Sequence, residues 1–197
     1  MVCPGNHEAF ANFSDYDSRF SMIGDRHRPE RLATLKDRVN NHYWSVDIGP
    51  AHIINFSSEF YYTSTMFDHS LIRWQYQFLE KDLKRANANR DKRPWIIAMS
   101  HQSFYCLLRF DPYCNFFLNQ RPALRRGVIS LPGLRRKFGL ENLFYRYGVD
   151  LIMNGHEHYY FRTLPLFNFM VKNGTNPDNP YEDPNGPTYI TTGCAVS

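Results

Sequence analysis

The sequence predicts a layered α/β domain, and two observations carry this prediction. Short apolar runs typical of strands recur along the chain, and the stretches between them include segments whose apolar residues recur at helical spacing. Strands that alternate with helices are typical of layered α/β domains. The composition agrees, because 43% hydrophobic and 21% charged residues are the proportions of a globular chain. With 197 residues, the chain is long enough to bury a core.

Five segments have the pattern of strands: residues 42–48, 52–56, 95–99, 149–153 and 189–192. The first segment alternates between apolar and polar residues, as a half-buried strand does. It is joined to the second by Gly49-Pro50, so these two are predicted to form a hairpin. The other three are short apolar or β-branched runs, which are typical of buried strands.

Two segments have the apolar periodicity of helices. Within residues 71–88, one face of a helix would carry Leu71, Trp74, Phe78, Leu79 and Leu83. Within residues 139–147, one face would carry Leu140, Leu143, Phe144 and Tyr147. Both helices are predicted to cover the core. Residues 172–187 are crowded with Asn, Pro, Gly and Asp, and are predicted to be an exposed loop before the last strand.

The charge is mildly basic, at +4, which by itself does not indicate a nucleic-acid partner. The densest basic stretch is residues 121–137. It is interpreted as a solvated surface, with a surface that attracts anionic substrates as the alternative. No apolar run reaches the roughly 18 residues of a membrane span. No signal-peptide pattern occurs at the first residues.

Cysteines and glycosylation sequons favour a secretory compartment. Cys106 and Cys114 bracket a short loop in which a local disulfide is geometrically easy, and two free thiols are the alternative. The Asn-x-Ser/Thr pattern occurs at Asn12, Asn55 and Asn173. Asn55 lies in a predicted strand and would be a poor acceptor, whereas the other two lie in loop-like sequence.

Residues of metal-ligand type stand in three places, two of them directly after an apolar strand. The three are Gly5-Asn6-His7-Glu8, His101 after residues 95–99, and Gly155-His156-Glu157-His158 after residues 149–153. Layered α/β folds place their sites at such strand ends, because the sheet fixes side chains that the following loops expose. The sequence therefore predicts a site that combines all three segments.

Gly155-His156-Glu157-His158 is the strongest of these signals. The two histidines point the same way if the backbone stays extended, or they serve one metal each, and Gly155 would allow a tight backbone. A pair of surface histidines is the alternative. The carbonyl oxygen of Asn6 suits a hard or borderline cation, and His7 beside it is a candidate proton donor to a leaving group. Taken singly, Asn6 and His101 would be interpreted as structural.

The order of these segments resembles the motif set of the calcineurin-like metallophosphoesterases. Four segments are similar to purple acid phosphatases: Cys3 to Glu8, Tyr43 to Asp47, Gly155 to Arg162 and Tyr189 to Gly193. The resemblance covers almost the whole chain. It implies an α/β fold in which residues 1–197 form the C-terminal portion of a four-layer α/β/β/α sandwich domain.

The resemblance also implies roles for individual residues. Asn6, His101 and His156 would hold a divalent metal, Zn, Mn or Fe, and His158 would bind the second metal, a ferric ion. His7 would orient the phosphate or protonate the leaving alcohol. The dinuclear centre would hydrolyse phosphate monoesters of small molecules or phosphoproteins.

For the full-length protein, the resemblance implies a secreted or lysosomal location and allows a homodimer. Around His101 the sequence departs from the commoner family pattern, because Gln102 and Ser103 stand where many members have other residues. This departure would alter substrate contacts and leave the ligand in place.

The family also carries an Asp in a D-x-G motif, and an Asp and a Tyr in a G-D-x-x-Y motif, upstream of Gly-Asn-His. Neither motif stands there in these 197 residues. We therefore expect a fragment of a longer enzyme that, isolated, has little or no phosphatase activity. A catalytically inactive remnant or binding module is the alternative, and a phosphodiesterase or nucleotidase branch of the superfamily is a third interpretation.

Overall fold

The computed structural model of the chain describes residues 2–20, 41–63, 69–106, 121–130, 135–176 and 178–193. The strands are β1 Trp44–Ile48, β2 Ala51–Asn55, β3 Trp95–Met99, β4 Gly127–Ser130, β5 Arg135–Phe138, β6 Leu151–Asn154, β7 Tyr160–Arg162, β8 Leu166–Phe167, β9 Met170–Val171 and β10 Thr188–Thr192. The helices are a 3-10 helix at Phe10–Phe13, then α1 Ser14–Arg19, α2 Phe60–Thr63, α3 Ser70–Asn87, α4 Arg121–Arg126 and α5 Leu140–Arg146.

A six-stranded mixed sheet forms the centre of the molecule, in the order β1-β2-β3-β6-β10-β7. The four inner strands run parallel to one another, and the two edge strands run antiparallel to their neighbours. Parallel neighbours need crossover connections, and α3 lies between β2 and β3 while α5 lies between β3 and β6. The α/β prediction is therefore confirmed. The described residues contain one large sheet, besides the two small ribbons β4–β5 and β8–β9.

All five predicted strands and both predicted helices are present, with ends shifted by no more than two residues. The hairpin of β1 and β2 turns at Gly49, whose φ of +53° lies in the left-handed region. A two-residue hairpin turn requires such a conformation, and glycine adopts it without strain. Residue 177 apart, residues 172–187 contain neither helix nor strand, as predicted.

The buried face of α3 differs from the predicted one. Leu79 and Leu83 are buried as expected, but Leu71 is exposed and Ile72 takes its place in the core. The face also buries the amide of Gln75, which accepts a hydrogen bond from the backbone N–H of Ser57 at 2.8 Å and donates to its carbonyl at 2.9 Å. A buried amide is tolerated there because both of its polar atoms are satisfied. In α5, Leu140, Leu143 and Phe144 are buried as predicted.

Two sequence predictions depend on residues outside the described ranges. Cys106 is disulfide-bonded, but Cys114 lies outside those ranges, so the pairing of these two cysteines stays a prediction. The sequon at Asn55 lies in β2, where the residue is 1% exposed, whereas Asn12 and Asn173 are exposed. In the described residues, no helix has the length and apolarity to cross a membrane.

Candidate metal centre

The candidate site lies at the carboxyl ends of β3 and β6, two adjacent parallel strands. Their register places Met99 opposite Met153. The ladder continues past the strand ends, because the N–H of Ser100 donates to the carbonyl of Met153 at 3.1 Å and that of Gly155 donates to His101 at 2.9 Å. This pairing places His156 beside His101 although they are 55 positions apart in sequence.

The side chains of Asn6, His101 and His156 converge at this edge. The Nε2 atom of His101 lies 2.9 Å from Oδ1 of Asn6 and 3.1 Å from Nδ1 of His156. The two imidazole rings stand 5.0 Å apart between centroids and are inclined by 75°. The three predicted segments therefore meet at the Nε2 atom of His101, and each segment contributes one atom of metal-ligand type.

The three atoms are of types that can bind one cation. Imidazole nitrogens without a proton suit Zn and Fe, and an amide carbonyl oxygen suits a harder cation such as Mn. The separations of 2.9 and 3.1 Å are also hydrogen-bond distances, which one proton on Nε2 of His101 would satisfy. The set therefore fits a divalent cation by the chemistry of its atoms.

The protonation of His101 also suits metal binding. Burial, reinforced by the neighbouring His156 ring, lowers the pKa of His101 to about 4. The ring is therefore neutral at weakly acidic and neutral pH, and a neutral imidazole is the form that binds metals. The effect is opposed in part by the nearby carboxylates of Glu8 and Glu157.

Gly5 allows the first segment to approach His101. The N–H of Gly5 donates to Oε2 of Glu8 at 2.7 Å, and the N–H of Glu8 donates to the carbonyl of Gly5 at 3.2 Å, which closes a tight turn around Asn6. A Cβ atom at Gly5 would stand 3.0 Å from Cε1 of His101. Any larger residue would therefore push against the imidazole ring that the turn must reach.

The backbone between the two histidines of the third segment is not extended. His156 has a φ of +65°, and the N–H of Glu157 donates to the carbonyl of Gly155 at 2.8 Å, so the chain turns tightly at His156 itself. Gly155 has no positive φ, and a Cβ there would meet its nearest neighbours at 3.9 Å. The expectation that Gly155 provides the tight backbone is wrong. A strained conformation at a non-glycine residue is typical of functional sites.

This turn separates the directions of the two histidines. His156 joins His101, whereas His158 is exposed and makes no hydrogen bond with any described residue. His7 is also exposed, and its ring is close enough to His101 to affect the pKa of that residue. Among the described residues, no group of three or more His, Cys, Asp or Glu side chains has a metal-binding arrangement. The roles of His158 and His7 stay predictions.

Glu157 anchors the third segment beneath the site. Its side chain is 6% exposed, and the hydroxyl of Ser103 donates to its Oε2 atom. Gly193 packs against the Glu157 backbone so closely that a Cβ would stand 2.1 Å from the Glu157 carbonyl oxygen. The loop that carries His156 is therefore held on one side by the residues after β3 and on the other by the end of β10.

Gln102 and Ser103 hold the loops beside the site. Gln102 is 5% exposed, its N–H donates to the hydroxyl of Ser58 at 2.8 Å, and its side chain contacts Glu59. Ser103 is 1% exposed and binds Glu157. Neither residue is exposed, so an effect on substrate contacts would act through loop position, and that effect stays a prediction.

Sequence reasoning did not identify two further ionisable groups beside the site: Cys3, which contacts the backbone of His101, and Glu59, which contacts the side chain of Gln102. Burial raises the pKa of the Glu59 carboxyl to about 7, and burial together with the Glu59 charge raises the pKa of the Cys3 thiol to about 12. Both groups are neutral in weakly acidic solution. Glu59 follows β2, which runs parallel to β3, so the rule that polar residues after parallel strands meet at one edge would have found it.

Comparison with known proteins assigns the chain to a family. Residues 1–160 match the Metallophos family, described as calcineurin-like phosphoesterase. The chain therefore belongs to the calcineurin-like phosphoesterase family. It is 44% identical to human acid phosphatase type 7 over 195 residues and 41% identical to the zebrafish (Danio rerio) protein of that name over 197 residues. Purple acid phosphatase 23 of Arabidopsis thaliana is 26% identical over 198 residues.

The chain is shorter than these relatives. The alignments cover 99% of this chain but 39% of the human protein and 40% of the zebrafish protein, and 98% of this chain but 33% of the Arabidopsis protein. The chain thus spans about two fifths of the length of the human and zebrafish proteins and a third of the Arabidopsis protein.

The fold has a counterpart among solved structures. A purple acid phosphatase from yellow lupin seeds superposes with a TM-score of 0.59 and 22% sequence identity, over 98% of this chain and 30% of that one. The fold prediction agrees with this likeness, and the family prediction is confirmed by the sequence comparisons.

Proposed function

We propose that this chain forms part of a metal-dependent acid phosphatase that hydrolyses phosphate monoesters. The observation that carries the proposal is the convergence of Asn6, His101 and His156 at the carboxyl edge of β3 and β6. The identity to acid phosphatases across the chain supports the same chemistry. The lowered pKa of His101 adds support, because an acid phosphatase needs ligands that stay neutral in acid.

Asn6, His101 and His156 would hold one divalent cation, Zn, Mn or Fe, and His158 would bind a second metal, Fe(III). When bound, the metal pair supplies Lewis-acid polarisation of the phosphate ester and activates water for attack. Carboxylate ligands would come from outside the described residues, since none converges with these three. Glu157 would keep His156 in place through its bond to Ser103.

His7 would act on the substrate and not on the metal. His7 is exposed, follows Asn6 in sequence, and is close enough to His101 to affect the pKa of that residue. From there it would orient the phosphate or give a proton to the departing alcohol oxygen, the step that general acids accelerate. The substrates would be small phosphate monoesters or phosphoproteins.

The cellular setting is part of the same proposal. The exposed sequons at Asn12 and Asn173 and the disulfide-bonded Cys106 support a secreted or lysosomal glycoprotein. Digestion with an endoglycosidase tests for sugars at these positions. For the full-length protein a homodimer is proposed, and sedimentation tests it.

The decisive experiment measures p-nitrophenyl phosphate hydrolysis by the full-length protein that contains this chain, loaded with iron and zinc. His156→Ala should lower kcat/KM by at least about 100-fold, because it removes a ligand. His7→Ala should lower kcat more than it changes metal content. The matched control is His69→Ala, since His69 contacts the carbonyl of Ile129 and takes no part in the site.

Three outcomes separate the alternatives. Activity that survives His156→Ala contradicts the proposal. Metal binding without any hydrolysis by the full-length protein favours a binding module. Preference for bis(p-nitrophenyl) phosphate over the monoester favours a phosphodiesterase. The isolated 197-residue chain is expected to show little or no turnover.

A further inference from the structure

A strongly basic cavity lies away from the candidate metal centre and shares no residue with it. It has a volume of about 450 Å³ and lies among α4, β5, α5 and β8. Four arginines and one carboxylate line it, giving a net charge of +3: Arg125, Arg126, Arg136, Arg146 and Glu141. Its volume lies within the range of about 300–1,000 Å³ that is typical of small-molecule sites.

One of the four arginines is neutralised and fixed. The Arg125 guanidinium is 6% exposed and binds Glu141 with its Nε atom at 3.0 Å and its Nη2 atom at 2.9 Å. It also lies over the rings of Tyr105, at 4.3 Å, and Phe169, at 4.0 Å. Arg125 and Glu141 therefore form a fixed ion pair with no net charge in the cavity lining. Because Glu141 is paired with Arg125, it does not neutralise the other three arginines.

The remaining arginines lack a strong carboxylate partner in the described part of the chain. Arg126 makes no hydrogen bond or ion pair there. Arg136 donates to the carbonyl of Gly127 at 2.9 Å and forms no ion pair with a carboxylate of the described residues. Arg146 approaches Glu80 only at 3.9 Å, between side chains that are 63% and 43% exposed. An ion pair of that kind is weak and screened by salt.

Neutral hydrogen-bond donors complete the lining. The side chains of Tyr76 and Asn142 both face the cavity. Burial and the charge of Glu80 raise the pKa of Tyr76, so its hydroxyl keeps its proton. Planar guanidinium groups and neutral O–H and N–H donors are the groups that bind a compact oxyanion such as phosphate.

We propose that this basic cavity binds a phosphate group, either as inorganic phosphate or as part of a small phosphorylated molecule. The concave shape distinguishes it from a surface for nucleic acid, which follows an extended backbone along a groove or stripe. The cavity is larger than one phosphate group needs, and the aromatic side chains of Phe138 and Phe167 in its lining would contact an organic substituent.

The test uses the protein freed of metal by chelation, so that the metal centre does not compete for phosphate. Inorganic phosphate and phenyl phosphate are titrated by calorimetry at constant ionic strength. The Arg126→Gln/Arg146→Gln variant should weaken binding of both at least tenfold. Asn142→Asp, which places a carboxylate in the cavity without changing side-chain size, should weaken it comparably. Lys81→Gln/Lys84→Gln is the matched control, because it removes two exposed charges of α3 that do not line the cavity, and it should bind phosphate like the wild type.

The comparison of the two probes identifies the ligand. Tighter binding of phenyl phosphate supports a phosphate ester, and equal binding supports free phosphate. Unchanged affinity in both cavity variants, with melting temperatures like that of the wild type, overturns the proposal. The proposal is also overturned if chloride or a duplex oligonucleotide binds with the same affinity as phosphate and loses affinity in the same cavity variants. These results would mark an unspecific cationic surface.

Discussion

The Nε2 atom of His101 lies 2.9 Å from the Oδ1 atom of Asn6, although 95 positions separate the two residues in sequence. Burial and His156 lower the pKa of His101 to about 4. In the metal-free protein we expect this ring to titrate near pH 4, and NMR of the imidazole carbons measures it. Titration near pH 6.5, the ordinary value for histidine, would contradict the arrangement.

Metal affinity should follow the same ionisation. Above pH 5 the His101 ring is already neutral, so a cation displaces no proton from it. As the pH falls through about 4, protons compete for the ring and metal affinity should decrease. Equilibrium dialysis of zinc between pH 3.5 and 6.5 measures this decrease. In the His101→Gln variant, zinc affinity should depend less on pH over the same range.

The glycines around the third segment differ in what they tolerate. Gly193→Ala should destabilise the protein by about 2–4 kcal/mol, because the added Cβ would stand 2.1 Å from a backbone oxygen. Gly155→Ala should change stability by less than about 1 kcal/mol, since the nearest atoms are 3.9 Å away and φ is not positive. Urea unfolding of both variants measures the contrast, and an equal cost would contradict it.

Glu157 should support metal binding by holding the loop that carries His156 in place. The Ser103 hydroxyl donates to its carboxylate, and both residues are buried. Ser103→Ala should loosen the loop that carries His156 and weaken zinc binding by about 10-fold, within the range for residues that orient ligands. Ser18→Ala is the control, because that serine is exposed and, among the described residues, bonds only within its own helix. Equal zinc affinity in all three proteins would show that the loop is held without this bond.

The sequence predicted the central elements because their signals are local. The strands around β3 and β6 are apolar runs, and the helix at α3 has a clear period. Parallel pairing then makes the proximity of His101 and His156 a consequence of topology. The sequence did not predict β8 and β9, which are two residues long, or the 3-10 helix at Phe10–Phe13, which carries no helical period.

Other features depend on tertiary contacts that a pattern does not encode. The turn at His156, where φ is +65°, arises because Glu157 is held by Ser103 and packed against Gly193, two contacts from distant parts of the chain. Leu71 was predicted to be buried because helical spacing alone fixes no absolute rotation, and Gln75 occupies the buried face because Ser57 satisfies its amide.

The buried pair of Arg125 and Glu141 should be costly to break on one side only. Glu141→Gln leaves the guanidinium without a counter-charge and should destabilise the protein by about 3–5 kcal/mol. The Arg125→Met/Glu141→Leu double variant removes both charges and should cost less than the single one. Thermal unfolding compares the two. A double variant that is less stable than the single variant would show that the pair itself, and not the uncompensated charge, dominates.

A histidine between two aspartates should make stability depend on pH. His52 is 4% exposed, with Nδ1 at 2.7 Å from Asp47 and Nε2 at 2.8 Å from Asp82. Both nitrogens donate only when the ring is protonated. Burial by itself lowers the pKa of His52, but the hydrogen bonds to Asp82 and Asp47 outweigh burial and raise it. The arrangement joins β1, β2 and α3, with Arg85 bound to Asp82 and Arg93 to Asp47.

The sign follows from the raised pKa of His52. The folded protein holds this proton more tightly than the unfolded chain, so its stabilising effect is complete below about pH 6.5 and is lost as the pH rises through the folded pKa. Urea unfolding at pH 6 and pH 9 should therefore show a loss of stability that His52→Gln lacks. At pH 6 the variant should be less stable than the wild type by about 2 kcal/mol, because charged hydrogen bonds are lost. An identical pH dependence in the two proteins would mean that the ring is neutral between its aspartates, with one of them protonated in its place.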